Sequence, residues 1–272
     1  MTSTLLESLL EAIRPLESVA VGFSGGVDST VVVAAAAHAL GPGKTLAVTG
    51  SSATVPGREL AEAAALAAGL GIPHAVIETG ELGSEQFCAN SSDRCYHCKS
   101  ELWAQVRELA ASRGIASVAD GVNADDLGDF RPGIAASDEA GVAHPLADVG
   151  AGKADVRELA RELKLPNWDK PAQACLSSRF PYGEKITVEA LGRVEQAEEF
   201  LRELGFRQLR VRHHGGIARI EIPAEELPEI SSDDRRQEIV RRFRQLGFDY
   251  VTLDLEGFRS GSLNEVLDRR RG

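Results

Sequence analysis

The chain has 272 residues, a formal charge of −11 at pH 7 and 43% apolar residues. That length suits two domains of about 100–200 residues each. The acidity argues against non-specific binding to nucleic acid or anionic membrane, and no apolar run is long enough to span a bilayer. Met1 to Leu10 reads as an amphipathic helix and not a signal peptide, since no basic residues precede its apolar ones. Three of the four cysteines lie close together, two of them in a Cys-x-x-Cys, which suits metal or redox chemistry in a reducing cytoplasm better than a disulfide framework. A cytoplasmic, soluble enzyme is the expectation.

The first apolar run, 19–23, predicts a buried strand that turns through Ser24-Gly25-Gly26 into a helix from Val27 to about Leu40. Two glycines let the backbone approach an anion, and the N–H groups at the helix start point at it. Ser24, Ser29 and Thr30 can add hydroxyl donors, and Asp28 can hold a magnesium ion. A plain capped turn, with Ser24 as cap and Asp28 matching the dipole, is the alternative. Strands over 45–49 and 75–78 with a helix from Gly57 to Ala68 give βαβαβ spacing, hence a parallel sheet with ligands at its carboxyl edge. Ser51 and Ser52 fall at that edge.

A helix is predicted from Asp93 to Ser112, with Cys95 and Cys98 on one face of its first turn beside Arg94 and Lys99. Trp103 reads as core. A fourth strand, Ser117 to Asp120, leads into a loop with Asn123, Asp125, Asp126, Asp129 and Arg131; Asp120 at the strand end and these loop residues can hold magnesium and position a substrate, or the loop can simply be solvated. A helix from Lys153 to Leu163 closes the first domain, 1–166. Residues 167–184 carry two prolines and no sustained period, so they read as a linker or active-site loop around Cys175 and Arg179. Residues 185–272 read as α-β-β-α-β: a helix capped by Thr187, strands 208–212 and 217–222, a helix 233–246 and a strand 250–255. The order suggests a ferredoxin-like layer. Arg210 and Arg212 share a strand face, a spacing suited to a phosphate. His213 and His214 are more simply turn residues than metal ligands, and Arg269-Arg270-Arg271 a solvated tail.

Ser24-Gly-Gly-Val-Asp-Ser29 resembles the SGGxDS loop of the PP-loop ATP pyrophosphatases and lacks the Walker lysine. Gly121-Val-Asn-Ala-Asp-Asp126 resembles a second segment of the same enzymes. Together with Phe130-Arg-Pro-Gly133, Ala174-Cys-Leu-Ser-Ser-Arg-Phe-Pro-Tyr-Gly183 and Leu209-Arg-Val-Arg-His213, they resemble the LarE sulfur-insertion family over nearly the whole chain. The resemblance implies an α/β fold with a parallel-sheet, HUP-like nucleotide-binding domain and a smaller α+β C-terminal domain. It implies that ATP adenylates a carboxylate of pyridinium-3,5-biscarboxylic acid mononucleotide, which sulfur then converts to a thiocarboxylate. Ser24, Gly25, Gly26, Asp28, Ser29 and Thr30, with Asn123, Asp125 and Asp126, would bind ATP and Mg2+. Arg210 and Arg212 would hold the substrate phosphate, and Trp103 and Tyr182 are candidates to stack on its ring.

Two sulfur sources are known in that family. In one, the cysteine at position 175 is sacrificed to dehydroalanine. In the other, three cysteines, here Cys95, Cys98 and Cys175, hold a 4Fe-4S cluster with one open iron. The cluster is favoured because Cys95 and Cys98 have no task in the sacrificial scheme. Cys88 offers a third possibility, a closed four-thiolate zinc site. Sulfide or a sulfur-donor protein would resupply the enzyme, and a trimer-based homo-oligomer is expected. A transfer-RNA thiolase on the same fold is the main rival, disfavoured by the acidic charge, and a non-catalytic nucleotide- or metal-binding regulator is a second.

Overall fold

The computed structural model describes residues 3–128, 131–171 and 174–259. Asp129, Phe130 and Arg269 to Arg271 therefore lie outside the described residues. The chain forms two compact units, residues 1–87 with 92–173 and residues 88–91 with 174–272.

In chain order the first unit opens with α1 (Thr4–Ile13), β1 (Val19–Gly22), α2 (Val27–Leu40), β2 (Thr45–Ser51), α3 (Gly57–Gly69) and β3 (His74–Glu78). There follow α4 (Glu85–Cys88), whose last residue passes to the second unit, α5 (Arg94–Ser112), β4 (Ser117–Ala119), α6 (Pro132–Glu139), α7 (Pro145–Asp148) and α8 (Lys153–Glu162). The four strands are all parallel in the order β3-β2-β1-β4. This is the α/β fold expected. The order reverses between β1 and β4, so the crevice at their carboxyl ends is where such a sheet takes a ligand.

Helix α2 is apolar nearly all round because it is buried nearly all round: Val31, Val32, Val33, Ala35 and Ala36 lie in one core with α1 and α8. On the other face, Trp103 of α5 packs with Ala20, Leu46, Val48 and Val106. A Cβ on Gly22 would reach the Trp103 ring at 2.5 Å, so the strand admits the indole only because that residue is glycine. The Trp103 Nε1–H donates to Ser137 Oγ at 2.8 Å. Trp103 is a core residue and has no face left for stacking on a substrate. Helix α6 was not expected; Pro132 at its first turn starts it.

The second unit contains α9 (Val188–Glu203), β5 (Arg210–His214), β6 (Ile217–Glu221), α10 (Leu227–Ile230), α11 (Asp233–Gln245) and β7 (Tyr250–Leu253). Thr187 caps α9, its side chain accepting from Ala190 N. The sheet runs β5-β6-β7, the first pair antiparallel and the second parallel. The first strand lies two residues later than 208–212. His214 pairs with Ile217 across the Gly215-Gly216 turn, and Gly215 has φ +59, so the glycines fix the register and draw both histidines into the strand. His213 is buried and stacked on Phe180, with 4.8 Å between ring centroids, and its Nδ1 meets Glu184 Oε1. It is a core residue and not a turn residue.

Candidate active site

The segment between β1 and α2 has the geometry of an anion cup. Gly25 adopts φ +68, open to glycine at little strain, and a Cβ there would press on Ala63 of α3 at 3.2 Å. Gly26 caps α2 without any side-chain hydrogen bond, so no side chain has taken the helix's first N–H groups. The carbonyls are turned inward instead: Thr30 Oγ1 donates to Gly26 O at 2.7 Å and Ser29 Oγ at 3.2 Å. Thr30 is fully buried and Ser29 nearly so. Of the three expected hydroxyl donors, only Ser24 is exposed.

Asp28, in the first turn of α2, accepts from Asn123 Nδ2 at 2.8 Å through Oδ1. This bond ties the loop after β4 to the loop after β1. The two are packed closely there, because a Cβ on Gly121 would lie 2.7 Å from Ser29 N. Asp125 and Asp126 have other partners. Asp125 Oδ2 accepts from Lys153 N at 2.7 Å, at the start of α8. Asp126, buried, pairs with Arg131 at 2.9 Å and Lys153 Nζ at 3.4 Å. Of Asp28, Asp125 and Asp126, only Asp126 is paired with cations among the described residues; Asp125 is held by a backbone N–H and Asp28 by the Asn123 amide.

At the end of β4, Asp120 Oδ1 accepts from Val122 N at 3.0 Å and meets His144 Nδ1 at 2.7 Å; His144 Nε2 meets Asp138 at 3.0 Å. Hydrogen bonding to Asp120 outweighs burial and raises the His144 pKa to about 8. Both ring nitrogens then donate to carboxylates. A histidine whose folded pKa is raised adds stability that is complete below its unfolded value, near 6.5, and is lost as pH climbs through about 8. His144→Gln should therefore lower stability by up to about 2 kcal/mol at pH 6 and by little at pH 9. Chemical denaturation at the two pH values checks this, and an equal loss at both would contradict it.

Cys95 is exposed and Cys98 half-buried in the first turn of α5, and the Arg94 guanidinium lies 4.0 Å from Cys95 Sγ. Lys99, the other expected cation, lies over the Trp103 ring at 5.5 Å. In the second unit, Cys175 is exposed at the start of a single 3-10 turn, Leu176–Arg179. Arg179 does stand beside Cys175, yet it grips the backbone and not the sulfur: Nη1 donates to Cys175 O at 2.9 Å and Ala174 O at 2.6 Å. Its fork is paired with Glu198, both side chains 1% exposed. Among the described residues no three His, Cys, Asp or Glu side chains gather as a metal site.

Arg210 and Arg212 differ in their surroundings. Arg212 is bound by both oxygens of buried Glu221, and its Nη1 donates to Ser178 O at 2.7 Å. Arg210 lies over the Phe258 ring at 5.2 Å, and burial, then the Arg179, Arg212 and Arg202 charges, lower its pKa to about 10 against the pull of Glu198. A guanidinium so placed gains from an arriving anion.

Residues 3–110 match the model of the NAD synthase family. The chain is 39% identical, over 98% of its own length and 96% of the relative's, to pyridinium-3,5-bisthiocarboxylic acid mononucleotide synthase of Lactiplantibacillus plantarum. The chain belongs to the LarE family. An uncharacterized protein of Synechocystis is 47% identical over 99% of this chain and the whole of that one. One of Methanocaldococcus jannaschii is 35% identical over 65% of this chain and 68% of that one. As a LarE-family protein the chain is an enzyme, a sulfurtransferase built on the PP-loop ATP pyrophosphatase fold. No helix among the described residues is long and apolar enough to cross a membrane.

The site residues that the sequence did not single out include His144, Glu198 and Glu221. Each holds another residue, and such a role leaves no local pattern.

Proposed function

We infer that this LarE-family enzyme uses ATP to adenylate a carboxylate of pyridinium-3,5-biscarboxylic acid mononucleotide and then replaces the activated oxygen with sulfur. The observation that carries the reading is the near full-length identity to a synthase of the bisthiocarboxylic product. The geometry supports its first half. The N–H groups that open α2, with Ser24, would receive the pyrophosphate, and Asp28 would hold the magnesium ion, which supplies charge neutralisation on the leaving phosphates. A substrate carboxylate oxygen attacks the α-phosphorus, the bond to the bridging oxygen breaks, and pyrophosphate leaves with that electron pair. Arg210 would hold the substrate's own phosphate, with Arg212 fixed by Glu221 to shape that end of the strand.

In the second half a sulfur nucleophile attacks the acyl carbon and AMP departs. Cys95, Cys98 and Cys175 are the thiolates that would hold a 4Fe-4S cluster. As donors they fit, with Cys95 and Cys98 three residues apart on one helical turn and Cys175 exposed. A bound cluster would supply a sulfide at its open iron. The second reading makes Cys175 the donor. Its thiolate displaces AMP to give a thioester; a base then removes the Cys175 Cα proton, the Cβ–S bond breaks, and thiocarboxylate leaves dehydroalanine in the chain. The exposed Cys175 thiol suits that reading as well.

Anaerobic purification with an iron count, before and after Cys95→Ala, separates the two. The cluster reading expects iron in the native chain, its loss in the variant, and many turnovers per chain. A colourless, iron-free protein that makes product once, with Cys175 lighter by the elements of hydrogen sulfide in a mass spectrum, would establish the sacrificial route. Sulfide or a sulfur-donor protein would resupply the cluster, and a trimer-based homo-oligomer and a cytoplasmic location remain part of the proposal. Transfer RNA retained on a filter by the pure protein would revive the thiolase alternative.

A further inference from the structure

We propose that Asn167 and Lys170 are positioning residues for the pyrophosphate loop, holding the Gly25 and Gly26 peptides so that their N–H groups face the anion. The proposal rests on the adenylating function inferred above. Both residues lie about 140 positions downstream of the loop, in a stretch with no helical or strand period.

Asn167 Nδ2 donates to Gly25 O at 3.1 Å, and Lys170 Nζ reaches the same oxygen at 3.4 Å. The peptide is planar and trans, so the Gly25 carbonyl and the Gly26 N–H point in opposite directions. Pinning the oxygen on one side aims the N–H at the other, toward the exposed Ser24 Oγ, to which it donates at 3.3 Å and beside which an arriving anion would be received. Asn167 Nδ2 also donates to Thr30 Oγ1 at 3.0 Å, whose own proton goes to Gly26 O at 2.7 Å. That second link orients the following peptide, and with it the Val27 N–H. A charged donor on a carbonyl also polarises the peptide and strengthens the N–H at its other end.

The arrangement is held firmly and not without cost. Lys170 pairs with Glu59 and Glu62 of α3, each at 2.9 Å, and is only 15% exposed. Burial lowers its pKa, but hydrogen bonds to Glu59 and Glu62 outweigh that and leave it raised, so the amine stays charged. Asn167 Oδ1, by contrast, is buried and accepts no hydrogen bond among the described residues. A buried acceptor left unsatisfied is destabilising, so the amide keeps this orientation for what its nitrogen does. The same helix α3 also presses Ala63 on Gly25. Gly25 is therefore fixed from α3 and from the 167–170 segment together, at the one residue of the loop with positive φ.

The test uses the full chain and two probes, magnesium pyrophosphate and AMP, titrated by calorimetry into the native protein, Asn167→Ala, Lys170→Met and Lys170→Arg. Pyrophosphate affinity should fall about tenfold in the first two variants, a loss of one well-placed donor. AMP affinity should stay within about twofold, and Lys170→Arg, which keeps charge and donors, should recover most of the loss. A general loosening of the unit would weaken both probes together, and that result, or unchanged pyrophosphate binding in folded variants, would overturn the proposal. Should Lys170→Met fail to fold, Asn167→Ala decides alone, because it holds the same carbonyl. A native protein that binds pyrophosphate but releases none from ATP with the biscarboxylate present would sink the inferred function while leaving the positioning role intact. One that binds no pyrophosphate would sink both.

Discussion

Glu198→Gln should destabilise the C-terminal unit by about 3–5 kcal/mol, a large part of the stability of a domain this size. Glu198 is 1% exposed and meets three groups at once: the Arg179 fork at 2.9 and 3.1 Å, Arg202 at 3.0 Å and the Val211 N–H at 3.0 Å. Glutamine keeps the shape and removes the charge, so Arg179, equally buried, loses its counter-ion. Burial raises the Glu198 pKa, yet the Arg179 charge and hydrogen bonds, with Arg202 and Val211 behind them, hold it down to about 2. A carboxylate with a depressed folded pKa gives stability that is present above its unfolded value, near 4.5, and is lost as pH falls toward 2. The native unit should therefore weaken through that acid window and the variant should not. Hydrogen exchange at the Val211 amide, in the strand that Glu198 holds, reads this unit apart from the other. A change below about 1 kcal/mol would mean that solvent reaches Arg179 more easily than its burial indicates.

The second large effect is expected at Asp28. Asp28→Ala should lower substrate-dependent pyrophosphate release by about a hundredfold or more, the scale on which removal of one electrostatic group at a reacting centre is felt. Two explanations are possible for such a loss, and Asp28→Asn tells them apart. An asparagine oxygen can still accept from Asn123 Nδ2, which keeps the tie between the loops after β1 and β4. It cannot supply the negative charge. If Asp28 acts on a cation, the asparagine variant should be nearly as slow as the alanine one, with the Asn123 contact preserved. Near-native rates for Asp28→Asn would assign Asp28 to loop positioning alone and leave the cation to other groups.

What the sequence reveals about this molecule follows the reach of each signal. Runs such as Val31 to Ala37 and the alternation of Ile217 to Glu221 predict their elements within a residue or two, because burial acts on each position locally. The Ser24-Gly25-Gly26 turn is legible for the same reason, as its conformation demands glycine. The duties of charged residues are not. Asp28, Asp125 and Asp126 look alike in sequence, and only the placement of Lys153 and Arg131 separates the last two from the first. Arg210 and Arg212 are indistinguishable until Glu221, on the neighbouring strand, is seen to bind the second. The shift of β5 by two residues has a similar origin, since the Gly215-Gly216 turn sets the pairing and the apolar pattern does not.

One short stretch bears on how this gene can be divided. Residues 88–91 belong with the C-terminal unit although the chain on either side of them belongs to the other. Asn90, fully buried at φ +55, is the anchor: its Nδ2 donates to the carbonyls of Phe180, Pro181 and Glu184. The backbone adds Gly183 N to Asn90 O and Ile186 N to Cys88 O, both 2.9 Å. The chain therefore crosses from one unit to the other three times, and a single cut near residue 173 cannot yield two self-sufficient pieces. The C-terminal fragment would lose a peptide wedge that fills its own interior, and the N-terminal fragment would carry an asparagine with nothing to cap.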